Sequence, residues 1–272
     1  MSSGTGWGPA RESRGEAFPA PPGVFRIGVI GAGGRMGGCV LAAIEERNDL
    51  SLGALFDRGD SLDAAQVDVF VEFTTVNAIP DLGRELGRLG KPWVSGTTGL
   101  DEAAHRGLRE ASERIPVLWS PNMSLGVAVL SRLLAEAAAL LPSGWEMELI
   151  ETHHTAKRDA PSGTALALAR RWTAVRGGEL RHGREGMSGP RPSGEVGMHA
   201  LRLPDVVGEH VVRLGGPREL LELGHRALDR AAFAHGALSA AAWLAQRKAG
   251  LYTIDDWAES RLEEIRERGT DQ

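Results

Sequence analysis

Val24-Phe25-Arg26-Ile27-Gly28-Val29-Ile30-Gly31-Ala32-Gly33-Gly34-Arg35-Met36-Gly37 decides how the rest of the chain is read. Its first seven residues are a short apolar run of the length of a buried strand, and the glycines that follow interrupt any regular element. Residues 39–46 then carry apolar side chains at helical spacing. Strand, glycine loop and helix in that order make the first βα turn of a dinucleotide fold. The glycines let the backbone approach a pyrophosphate, whose charge meets the helix N-terminus. Gly31, Gly33, Gly34, Arg35 and Met36 are therefore candidate cofactor contacts. In the strict G-x-G-x-x-G frame the third position is Met36, with Gly37 one place late. Taken alone, the loop also fits a strand-to-helix turn that holds no ligand.

Outward from this loop the same alternation continues. A strand over 51–56 ends at Asp57-Arg58, about 20 residues past the glycines, where an acid commonly receives the adenosine ribose hydroxyls. Asp57 favours NAD, whereas Arg58 suits a 2′-phosphate, so NADH and NADPH both remain open. A strand over 67–73, a helix over 78–89, a strand over 92–95, a helix over 101–112 and a strand over 115–119 complete a repeated βα pattern. The fold class is α/β, with a Rossmann-like parallel sheet in the first half. Gly96-Thr97-Thr98-Gly99, which closes the fourth strand, reads by itself as a turn rich in hydroxyls.

Composition limits the alternatives. A hydrophobic content of 42% over 272 residues is enough to fill one large core or two modest ones. The net charge of −5 offers no basic surplus to neutralise nucleic-acid phosphates. No apolar run is long enough to cross a bilayer, so no membrane partner is expected. The single cysteine, Cys39, excludes an internal disulfide framework and fits a reducing cytoplasm; it reads as a small packing side chain in the first helix. Residues 1–23, rich in Gly, Ser, Pro and charge, read as a disordered leader. They lack the uninterrupted apolar centre of a secretory signal.

The second half holds the densest chemistry. Residues 146–153 alternate as a strand with one covered face, and they deliver His153 and His154 to its end. Asp159-Ala160-Pro161-Ser162-Gly163-Thr164 leads into an apolar-periodic run, so a helix is expected from about Pro161, its free N–H groups facing back toward the histidines. Lys157 lies between. A cation, an imidazole and an anion-binding helix start suit an anionic substrate that receives a hydride and a proton. Adjacent strand residues point to opposite faces, so the two histidines are expected to do different work and not to share a metal; no metal site is expected. The bland reading of Ser162 is a helix cap. His105, His182, His199, His225 and His235 read as structural.

The run H-H-x-x-K-x-D-A-P-S-G-T-A, from His153 to Ala165, resembles the signature of the dihydrodipicolinate reductase family. The resemblance implies that His153 is the proton donor and that Lys157 assists catalysis. It also implies that His154, Ser162, Gly163 and Thr164 bind the substrate, a cyclic dicarboxylate. It places Gly96, Thr97 and Thr98 beside a nicotinamide, and makes Ser120, Asn122 and Met123 part of the segment joining the two domains and touching the cofactor. The implied division is a dinucleotide domain over 24–124 and 231–272, with an α+β substrate and oligomerisation domain over 125–230 built on an open mixed sheet. The last part of the chain is then a helix over 230–248, with 255–257 after it returning to the cofactor domain. A cytoplasmic homotetramer that reduces 4-hydroxy-tetrahydrodipicolinate with NADH or NADPH, in lysine and diaminopimelate synthesis, is the implied protein. Its two domains would close on cofactor and substrate together.

The chain departs from the family at several points. Met123 stands where Phe is usual, Ala128 where Asn is usual, and Thr155 and Ala156 where bulkier residues, one of them basic, are frequent. Only residues 58–66 link the ribose acid to the third strand, where longer members insert a loop and strand. These departures motivate a second reading, a reductase of another cyclic imine acid. A third, a nucleotide-binding regulator without catalysis, is opposed by the presence of His153 together with Lys157.

Overall fold

A computed structural model describes residues 24–270; the leader expected over 1–23 lies outside the described residues. In chain order the elements are β1 (Phe25–Ile30), α1 (Arg35–Glu45), β2 (Leu50–Phe56), β3 (Val69–Glu72), α2 (Ile79–Leu89), β4 (Trp93–Ser95), α3 (Glu102–Ser112), β5 (Pro116–Trp119), α4 (Leu125–Leu140), β6 (Glu146–His153), α5 (Gly163–Arg176), β7 (Glu179–His182), β8 (Glu195–Arg202), β9 (Gly208–Gly216), β10 (Glu219–Ala227), α6 (Ala231–Leu244), β11 (Gly250–Tyr252) and α7 (Ile254–Thr270).

Six strands make a parallel sheet in the order β11-β5-β4-β3-β1-β2. The apolar strand runs of the sequence are its fully covered centre: Val69, Phe70 and Val71 are all inaccessible to solvent, as a parallel sheet with helices on both faces requires. One face packs against α1, α6 and α7, and the other against α2 and α3. The strand order reverses between β1 and β3. That crevice, at the carboxyl ends of the strands, is where open α/β sheets bind ligands.

The second sheet is mixed, in the order β10-β9-β6-β8-β7, with β6, β8 and β7 parallel and β9 antiparallel to both β6 and β10. Alternation along β6 sends Met147 and Leu149 into a core shared with α4 and α5, among them Leu134, Leu168 and Trp172. Two short strands went unread in the sequence. β7 has four residues and β11 three, too few to show a period. α7 was also unread beyond its start, although Thr253 and Asp256 form a reciprocal cap there. The Asp256 carboxylate accepts from the Thr253 N–H at 2.7 Å, and Thr253 Oγ1 accepts from the Asp256 N–H at 3.3 Å. Ion pairs from Arg132 to Glu259 and from Arg171 to Asp255 tie α4 and α5 to α7. Among the described residues no helix is long and apolar enough to cross a membrane.

Candidate active site

The glycine loop is shaped by contacts that only glycine permits. Gly31 has φ +84°, and a Cβ there would stand 2.4 Å from the Phe73 carbonyl oxygen. At Gly37 a Cβ would fall 2.3 Å from the Gly31 oxygen and 2.6 Å from the Ala32 oxygen. Gly37, passed over by the strict motif frame, thus does the work of the third glycine, letting α1 close onto the loop. Helix α1 starts four residues before the periodic run at 39–46, with Gly34 as its N-cap. No side chain caps it and no acid lies in its first turn. An uncapped helix start behind a glycine turn fits a phosphate.

That helix start opens into a cleft of about 610 Å³ between the two sheets. Gly34, Arg35 and Met36 line one side, with Gly96, Thr97, Thr98, Asn122 and Met123; His153, His154, Lys157 and Thr164 line the other. Five of the cofactor candidates lie outside the lining. Gly31 makes the turn, and Ser120 is buried with its hydroxyl donating to the Asn122 carbonyl at 2.7 Å. The Gly33 N–H is shared between both Asp57 carboxylate oxygens at 3.1 Å, which fixes the exposed acid at the end of β2 beside the loop. Arg58 is exposed next to it.

Below the threonine loop sits Glu72, wholly buried at the end of β3 and absent from the sequence reading. Its carboxylate accepts from Ser95 Oγ at 2.6 Å, Thr97 Oγ1 at 2.6 Å and Thr74 Oγ1 at 2.5 Å, and from the Thr74 N–H. Burial pushes the carboxyl above its ordinary pKa against the pull of these donors. Trp119 Nε1 donates to the Thr97 carbonyl at 2.9 Å, pinning the loop from the other side.

The histidine end follows a different pattern from the expected one. Strand β6 stops at His153, so the alternation that would turn the imidazoles apart does not extend to His154, and both line the cleft. His153 Nδ1 is bonded to the carboxylate of Glu151, which is fully buried two residues earlier. Burial holds the His153 imidazole below its ordinary pKa; Lys157 and Arg202 push the same way, while Glu151 opposes them. Lys157 Nζ is paired with Asp159 at 2.8 Å.

Helix α5 begins at Gly163, two residues later than Pro161 suggested, because Ser162 is the N-cap. The Ser162 hydroxyl, expected on the substrate, is buried. It accepts from the Ala165 N–H at 3.1 Å and is 3.1 Å from His210 Nε2. The Ser162 N–H goes to Glu151 at 3.3 Å. The N–H groups of Gly163 and Thr164, first in the helix, have no intrahelical partner. Of this trio, Thr164 alone lines the cleft, where its hydroxyl accepts from Asn122 Nδ2 at 3.0 Å; Gly163 is exposed at the helix start. His210, on β9, was not singled out in the sequence. Burial, with the neighbouring His153, His225 and Lys157, pushes it down to about 3. Pro121, Thr74, Phe73, Val207, Arg230 and Phe233 complete the cleft, and the last four of these were not singled out in the sequence.

Two family models cover almost the whole described chain: dihydrodipicolinate reductase, N-terminus, over residues 25–123, and dihydrodipicolinate reductase, C-terminus, over residues 126–257. The chain belongs to the dihydrodipicolinate reductase family. The 4-hydroxy-tetrahydrodipicolinate reductase of Sulfurimonas denitrificans is 39% identical over 87% of this chain and 100% of its own length. That of Zymomonas mobilis is 41% identical over 85% and 96%. The solved dipicolinate-bound dihydrodipicolinate reductase from Paenisporosarcina sp. TG-14 shares the fold, with TM-score 0.70 at 24% identity over 86% of this chain and 99% of that one.

Against the family pattern, Met123 faces the cleft at 2% exposure and fills space there. Ala128 instead packs into the core beneath α1 and α6, away from the cleft lining. Thr155 and Ala156 are exposed and do not line the cleft.

Proposed function

We propose that this protein reduces 4-hydroxy-tetrahydrodipicolinate to tetrahydrodipicolinate, in lysine and diaminopimelate synthesis, with NADH or NADPH as hydride source and the 4-hydroxyl leaving as water. The observation that carries the reading is the single cleft with an uncapped helix start and threonine loop on one side and His153, His154, Lys157 and Thr164 on the other. The reduced nicotinamide, when bound, supplies the hydride. Gly34, Arg35 and Met36 would hold its pyrophosphate, Asp57 and Arg58 its adenosine ribose, and Gly96, Thr97, Thr98, Asn122 and Met123 its nicotinamide end.

On the substrate side, Lys157 and the N–H groups of Gly163 and Thr164 hold the two carboxylates, with the Thr164 hydroxyl and His154 orienting the ring. The Ser162 hydroxyl serves as the cap that keeps those N–H groups in place. His153 supplies the proton through Nε2, the ring nitrogen that Glu151 leaves free. A dianion entering the cleft raises the pKa of an imidazole that burial has lowered, so protonation of His153 is coupled to substrate binding.

Two domains, over residues 24–124 with 231–272 and over 125–230, would carry cofactor and substrate respectively. The protein is read as a cytoplasmic homotetramer, and the exposed Leu220 and Leu221 on β10 offer an apolar edge for contact between subunits. The test is a coupled assay: condense pyruvate with aspartate semialdehyde enzymatically, add this protein, and follow NADH and NADPH absorbance. Turnover lost in His153→Ala supports the reading. Absence of turnover with intact cofactor binding would sink it, leaving another cyclic imine acid or a silent regulator; light scattering reports the oligomer.

A further inference from the structure

Glu151, like Glu72, has no exposed surface, and three separate elements converge on it. One oxygen faces His153 Nδ1 on the same strand. The other accepts from Arg202 Nη1 at 3.0 Å, at the end of β8, and from the Ser162 N–H at 3.3 Å, at the cap of α5. Arg202 also donates to the Asp159 carbonyl at 2.6 Å, so the loop carrying Lys157 is tied to the same point. Burying an ionised carboxylate is costly unless it is paired and hydrogen-bonded, and here each oxygen has its partners.

We propose that Glu151 is a positioning residue for the reduction: it fixes the proton of neutral His153 on Nδ1, turns Nε2 into the cleft, and stabilises the imidazolium that delivers the proton. This rests on the reading of His153 as proton donor. The physical reason is the one that orients histidines generally: a carboxylate acceptor at one ring nitrogen sets the tautomer and raises the basicity of the other. The groups facing His153 are Glu151 on β6, Lys157 on the following loop, Arg202 on β8 and His210 on β9, whose ring stands edge-on at 5.2 Å. Of these only Glu151 is negative. Removing its charge therefore lowers the imidazole further, while removing Arg202 raises it. Space beside Nε2 is also kept open, since a Cβ on Gly208 would lie 3.1 Å from it.

The experiment has an arm that does not depend on activity. Nitrogen NMR of histidine-labelled protein, assigned with His153→Gln, should find neutral His153 protonated on Nδ1; protonation on Nε2 overturns the proposal. In the kinetic arm, Glu151→Gln should lower kcat by about 10²-fold with little change in KM, and move the alkaline limb of the kcat profile to lower pH. Arg202→Met should move that limb to higher pH. Wild-type kcat and an unmoved limb in Glu151→Gln, while His153→Gln is inactive, would also overturn it. Full activity in His153→Gln would instead remove the proton-donor reading. Should Glu151→Gln fail to fold, the wild-type NMR result and the Arg202→Met limb decide the matter.

Discussion

Asn122 Nδ2 donates to Thr164 Oγ1 at 3.0 Å, joining the segment after β5 to the first turn of α5 across the cleft. The same amide is held from behind, because its oxygen accepts from the Ser124 N–H at 2.9 Å. Thr164 uses its oxygen as the acceptor in this bond, which leaves its own proton for a carboxylate. Replacing Asn122 with Ala should therefore loosen the substrate side more than the chemistry. KM for the dicarboxylate is expected to rise about tenfold, the loss of one hydrogen bond to a charged group, with kcat and melting temperature changed little. Steady-state kinetics against substrate decide it. A fall in kcat at constant KM would mean that Asn122 acts on the reaction and not on Thr164.

Gly37 and Gly38 offer a paired test of the glycine turn. A Cβ on Gly37 meets two backbone carbonyl oxygens, neither of which can move without opening the turn, whereas a Cβ on Gly38 meets nothing within 4 Å. Gly37→Ala is expected to cost about 1–3 kcal/mol of stability and to weaken NADH and NADPH binding by at least about tenfold. Gly38→Ala, exposed on the same helix, should stabilise by about 0.5–1 kcal/mol and leave cofactor affinity alone. Thermal melts and fluorescence titration of the reduced cofactor measure both. Equal effects from the two substitutions would refute the close-packing account.

Asp57 and Arg58 stand side by side at the end of β2, and coenzyme choice should follow their charges. The Asp57 carboxylate is held against the loop by the Gly33 N–H, so it cannot swing away from a 2′-phosphate. Asp57→Asn keeps an acceptor for that N–H and removes the repulsion. The ratio of kcat/KM for NADPH over NADH should rise by about tenfold, while Arg58→Ala should lower it. Parallel assays with both coenzymes read the ratio, and no change in either variant would place the ribose elsewhere.

Much of this was legible in the chain because it is local. The βα order of the first half follows from apolar runs and glycines, and the His153-to-Ala165 run carries its chemistry in consecutive residues. What escaped reading is long-range. Glu151 looks like one more polar residue on an alternating strand until Arg202, 51 positions on, is paired with it. Arg230 and Phe233 reach the cleft from the start of α6, which follows the second sheet in the chain but packs on the first. The orientation of His154 was misjudged because strand geometry was extended one residue past where pairing stops. Ser162 carried two readings in the sequence, substrate contact and helix cap, and only the fold shows its hydroxyl turned to the cap.

Glu72 offers a test in which pH, not activity, is the variable. Folding encloses its carboxyl completely, and the folded pKa lies above the ordinary 4.5. Folded protein therefore binds this proton more tightly than unfolded chain does. The stability linked to that proton is full below the unfolded value and is lost as pH rises through the folded one. Glu72→Gln removes the titration but obliges one of the hydroxyls of Ser95, Thr74 or Thr97 to turn and accept from the new amide, a cost that does not vary with pH. The melting temperature of the variant minus that of the wild type should thus climb as pH is raised from about 4 to about 8. Because the same carboxylate holds Thr74 and Thr97, cofactor affinity should fall at every pH alongside it. A difference in melting temperature that stays flat across this range would show that Glu72 keeps its proton, or its charge, equally in both states, and the buried-charge account of the loop would fail.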